Sequence, residues 1–153
     1  MANIVFNIAK GRIVELYSRV KSNDPTNSAI ILVPIETSGL ESDATLIDKD
    51  DLAAVLSGAT NEQTTMGRKT LTDADLAAFP APVDASDYMS ISLPSVTWTA
   101  ATGNAISKVL VCYDSDTTAG TDSNIVPLTM FDFSATPSGL DITMTGGEFF
   151  RAS

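Results

Sequence analysis

Val109-Leu110-Val111-Cys112-Tyr113 closes a segment, Ile106 to Tyr113, whose composition decides the fold. It is a short apolar run rich in β-branched and aromatic residues, which reads as a central strand. Ala29-Ile30-Ile31-Leu32-Val33-Pro34-Ile35 has the same character and reads as a second buried strand. Pro34 has no N–H to give a neighbouring strand, so that end belongs at a sheet edge or bulge. Working outward, Ile125 to Phe133 is a further strand, and Pro127 carries the same implication. Ile91-Ser92-Leu93 and Val96-Thr97-Trp98-Thr99 alternate apolar and polar residues, the pattern of a half-buried strand, broken here by Pro94. Ile142, Met144 and Phe149-Phe150 supply the last one or two strands. Turns of Asp, Gly, Thr and Ser separate these runs. Together they predict a mainly β chain, an antiparallel β-sandwich or barrel. Trp98, Val109, Val111 and Leu128 are assigned to one core.

One or two short helices are expected beside the strands, in the N-terminal segment and at 50–57. Phe6, Ala9, Ile13, Leu16, Tyr17 and Val20 recur at spacings of three and four, which places them on one helix face. Gly11 interrupts that pattern, so an extended arm at residues 3–8 competes with the helix. In the second helix, acidic residues precede Leu52-Ala53-Ala54-Val55-Leu56, and Gly58 follows it. Met66 to Leu71 has room for a strand, and 72–87 reads as a long loop with one helical turn at Asp73–Ala78. The turn residues Lys21 to Asn27 divide the chain into 1–24, an arm or helix, and 25–153, a β-rich domain.

Composition removes whole classes of function. At 153 residues, with 44% hydrophobic and 18% charged residues, the chain is the size of one globular domain. Its 19 acidic against 9 basic residues give a net charge of −10, which repels phosphate and anionic membrane surfaces. Neither a nucleic-acid nor a membrane partner is expected. Histidine is absent, which excludes Ser-His-Asp and Cys-His catalysis and His-ligated metals. The one cysteine permits no internal disulfide and no Cys-based zinc site. Met1 to Lys10 lacks the apolar run of a signal peptide, and no stretch is long enough for a transmembrane helix. No cofactor is expected, and no enzymatic activity.

The remaining motifs have bland readings. Asp114 to Asn124 places oxygen donors as a calcium loop would, but Ala119 and Ile125 stand where that loop needs glycine and glutamate. It reads as a solvated hairpin loop. Cys112 lies in an apolar strand without a basic neighbour, so it reads as structural. Asp48, Asp50 and Asp51 are helix-start charges rather than a glycosidase pair. Gly146-Gly147 is a turn. Arg68-Lys69 is the one basic pair in the centre of the chain, a candidate contact for an acidic partner surface.

Several of these segments, in order, resemble a known group. They are Met1-Ala2-Asn3 with Ala9-Lys10-Gly11-Arg12, then Val96 to Thr99, Val109 to Asp114, Ile125 to Leu128, Phe131-Asp132-Phe133 and Thr136 to Thr143. The order resembles small structural proteins of tailed bacteriophages; it covers most of 88–153 and the N-terminus, and leaves out 36–87. The resemblance implies a virion location on the capsid surface and a head decoration or cement role. It also implies the major capsid protein and copies of the chain itself as partners, in a trimer. A tail, collar or fibre component and a receptor- or carbohydrate-binding module are the alternatives. An apolar segment ahead of a turn-rich linker suits an arm that docks on a neighbour. The expected interface is therefore Ile4, Val5, Phe6, Ile8, Ile13, Leu16 and Tyr17, together with Arg68 and Lys69.

Overall fold

The structure, a computed structural model, describes residues 4–153. In chain order it contains β1 (Ile4–Val5), a 3-10 turn (Asn7–Ala9), α1 (Ile13–Lys21), β2 (Ala29–Glu36), α2 (Asp43–Leu46) and α3 (Leu52–Leu56). There follow β3 (Lys69–Leu71), β4 (Met89–Leu93), β5 (Val96–Ala101), β6 (Ile106–Asp114), a 3-10 turn (Asp122–Asn124), β7 (Val126–Ala135), β8 (Leu140–Met144) and β9 (Gly147–Ala152). The chain is mainly β and sandwich-like, and its strand pairs are antiparallel, as the periodicity predicts.

A five-stranded sheet, ordered β1-β7-β6-β2-β3, forms the frame. Its inner strands β2 and β6 are buried along almost their whole length. Side chains alternate across a strand, so Lys108, Leu110 and Cys112 share one face and Val109, Val111 and Tyr113 the other. Lys108 reaches Asp43, which puts α2 over the first face. Both prolines sit where their missing donor does no harm. Beyond Leu32 strand β3 has ended, and the loop takes over: Gln63 N–H donates to Pro34 O at 2.9 Å, and Glu36 N–H to Asn61 O at 2.9 Å. Pro127 faces Cys112 where the β6–β7 register shifts.

The pairs β4–β9 and β5–β8 are two halves of one ribbon. Leu93 faces Gly147 and Val96 faces Met144, so the register runs on across the break at Pro94-Ser95. Opposite that break, Gly146 packs directly on the backbone. A Cβ there would stand 2.5 Å from both Leu93 O and Ser95 N, and Ser95 Oγ accepts the Gly146 N–H at 2.9 Å. Only glycine fits this kink. Inward-facing Ile91, Leu93, Val96, Trp98, Ala101 and Phe149 join the same core as the sheet. Trp98 lies 6.4 Å from Phe133 of β7, ring to ring, and donates its N–H to Gly67 O at 2.9 Å.

The N-terminal segment holds the short helix expected of it, α1, with Ile13, Leu16, Tyr17 and Val20 buried on one face, but the helix starts later than the spacing from Phe6 implies. The segment is not one helix: Gly11, at φ +80°, separates the 3-10 turn from α1. Nor is it a detached arm. Phe6 N–H donates to Leu128 O at 3.0 Å, and Asn7 N–H to Ile47 O at 2.9 Å. The turn after α1 folds back on the helix, with Asp24 N–H on Arg19 O at 3.0 Å. Residues 4–24 thus share one core with the rest of the chain. Residues 1–3, the start of the expected arm, lie outside the described residues.

The shorter elements follow local chemistry. α3 begins on Asp51, whose Oδ1 accepts the Ala54 N–H at 2.7 Å, and lies within the expected 50–57. α2 was not expected from the sequence; its start is capped by Ser42 Oγ, which accepts the Thr45 N–H at 3.3 Å. The strand expected within Met66–Leu71 is confined to β3.

Candidate functional site

A cleft of about 370 Å³ lies between β7 and the kink of the ribbon. Phe131 and Phe133 come from β7, Leu93 from β4, Met144 from β8 and Phe149 from β9, and these make its walls apolar. They converge there because the kink turns both ribbon strands over β7. Asp132 and Glu148 are exposed at its margin, and Thr143 and Thr145 add hydroxyls. Arg151 bonds Glu148 at 2.9 Å and holds that carboxyl below its ordinary range. The cleft is near the small end of ligand pockets. Asp132 and Glu148 are both paired within the chain, so the cleft's chemistry suits an apolar side chain.

Two cations are committed within the fold. Arg68 bonds Glu62 through Nε (2.8 Å) and Nη2 (2.6 Å), and Asp122 through Nη1 (2.6 Å) and Nη2 (2.9 Å). These forked bonds, first to Glu62 and then to Asp122, raise its pKa further. They tie the loop before β3 to the turn before β7. Lys108 is fully buried between Asp43 at 3.0 Å and Asp132 at 3.2 Å. Cys112 is also fully buried, and burial pushes its thiol pKa up, which suits the structural reading. Among the described residues no cluster of acidic or thiol side chains is placed to hold a metal.

The structure relocates most of the expected interface. Ile4, Phe6, Ile13, Leu16 and Tyr17 are buried in the chain's own core, and Val5 and Ile8 pack against it. Tyr17 illustrates why: its ring lies 6.1 Å from Phe149, and its hydroxyl approaches Ala77 O and Ser92 O at 3.3 and 3.4 Å. These side chains close the domain instead of reaching a neighbour. Arg68 is likewise turned to its own carboxylates. Lys69 is half-buried on β3, opposite Leu32. Sequence reading missed the cleft and the Lys108 cluster. Phe131 and Phe133 carried a signal as alternating aromatics and Phe149 as one of an aromatic pair; Lys108 carried one only as a cation inside a buried strand.

Compared with family models, curated proteins and solved structures, the chain matches none.

Proposed function

We propose that the chain is a structural protein of a tailed-phage particle. In this reading it is a decoration or cement protein that binds the outer surface of the head and stabilises it. Its partners are the major capsid protein and copies of itself, arranged as a trimer. The observation that carries the reading is the apolar cleft opening on a frame whose inner cations are locked in internal pairs. Such a block offers a neighbour a shaped recess without needing to rearrange. The resemblance in sequence order points the same way.

Quantitative mass spectrometry of purified particles tests this. Copies in the hundreds are expected. A ring-sized number, about six to twelve, would move the chain to the tail or collar. Its absence from particles would overturn the proposal.

A further inference from the structure

Lys108 has none of its surface exposed and is the third residue of β6, directly before the apolar run Val109 to Tyr113. Its two acidic neighbours contact it differently. Nζ donates an aligned hydrogen bond to Asp132 Oδ1 at 3.2 Å. Asp43 Oδ1 is closer, at 3.0 Å, yet without hydrogen-bond alignment. That oxygen is screened from solvent and accepts no hydrogen bond from the described residues. The nitrogen therefore stands against the Asp43 carboxyl group while a proton points at Asp132. Buried ion pairs of this kind suffer a desolvation cost that a neutral product would not.

We propose that Lys108 and Asp43 condense into an intramolecular isopeptide bond, with Asp132 as the proton carrier. Asp132 takes a proton from the ammonium along the existing hydrogen bond and delivers it to the Asp43 carboxyl group. The freed amine attacks Cγ of Asp43, and the Nζ–Cγ bond forms. A second nitrogen proton follows the same route, the Cγ–O bond breaks, and the oxygen leaves as water. Overall an ammonium and a carboxylate become one amide and one water, Asp132 is returned unchanged, and nothing is oxidised or reduced. Nζ stands 3.0 Å from Asp43 Oδ1, the oxygen bonded to the Cγ it would attack, and groups held this close to their target need little further approach. The side chains of Asp43 and Asp132 are 27% and 29% exposed, which gives the water a way out. The bond would join α2 covalently to β6 and limit the unfolded chain as any long cross-link does.

The intact mass of the purified full-length chain, measured under denaturing conditions, tests the proposal. The chain is expected to be lighter than its sequence by one water. Protease digestion should yield a branched peptide that joins the Asp43 and Lys108 segments. Lys108→Arg and Asp132→Asn are expected at their full sequence masses, with the fold checked by circular dichroism. A wild-type chain at full sequence mass would overturn the bond, as would a lost water mapped to any other pair. Folded Asp132→Asn that loses water as completely as the wild type would overturn the proton-carrier role.

Discussion

The five-stranded sheet and the kinked ribbon bury their apolar residues by different routes. In β2 and β6 nearly every residue is inside, because helices and ribbon cover the frame from both sides. In β5 burial alternates with exposure, and β8 is nowhere fully buried. Leu140, at the start of β8, is 72% exposed. The sheet is thus defined by layers on two faces, the ribbon by one row of anchors. The comparison teaches where change can be accepted. A substitution inside β2 or β6 has no outward face to turn to, whereas the ribbon can vary on one side and still hold its place. The cleft lies where the two regimes meet.

Trp98 gives the sharpest way to break this comparison. It is the largest of the anchors and is 1% exposed. Trp98→Ala removes its contact with Phe133 and leaves Gly67 O without the indole donor. The expected loss is about 3–5 kcal/mol, read by urea unfolding. A loss below about 1 kcal/mol would mean that the ribbon is held by its strand pairing alone and that the row of anchors is incidental.

How much of this could be read beforehand divides along the same line. The strands β2, β6 and β7 announce themselves through dense apolar runs, and β4 and β5 through alternation. Pro34 and Pro127 mark irregular pairing because a missing donor is a local property. α3 is legible from Asp51 and Gly58. In the N-terminal segment the helix α1 is legible from the spacing of Ile13, Leu16, Tyr17 and Val20, but apolar spacing records that side chains are buried, not in whose core. Asn23-Asp24-Pro25 looks like a linker, yet its backbone folds onto α1. α2 has only four residues and shows little besides its Ser42 cap. Arg68 finds partners six and fifty-four positions away, and no local pattern encodes that. The same holds for the cleft, which exists only once β4–β5 has paired with β8–β9.

A smaller effect should separate the sheet's margin from its centre. Asp122 donates no burial to the core; it serves the Arg68 clamp beside β3. The hydrogen bond from Arg68 holds its carboxyl below the ordinary value of 3.8. A lowered pKa means that the stabilisation is complete above the ordinary value and disappears as pH falls through the lowered one. Stability should therefore drop on acidification below about pH 4, and Asp122→Asn should flatten that drop. Near neutral pH the variant should lose only about 0–1 kcal/mol, since the carboxylate is partly solvated. Urea midpoints for both proteins across an acid series measure this. An unchanged acid limb in Asp122→Asn would remove the clamp as a contributor.

The smallest effect expected is that of chelation, and it concerns the loop between β6 and β7. Asp114, Asp116 and Asp122 gave that loop the look of a calcium site. The structure directs each carboxylate to a partner within the chain. Asp114 Oδ1 accepts the Asp116 N–H at 3.0 Å, and Asp116 Oδ1 accepts the Thr118 N–H at 3.0 Å. Asp122 is forked onto Arg68. A calcium ion needs six to eight oxygens turned to one centre, and here it would have to displace a guanidinium to recruit Asp122. The loop is held by its own backbone bonds, so EDTA should leave the melting temperature where excess calcium leaves it. A calcium-dependent rise of more than about 4 °C, roughly 1 kcal/mol or more at this size, would show that the loop closes around an ion. The margin of the sheet would then depend on a ligand while its centre does not.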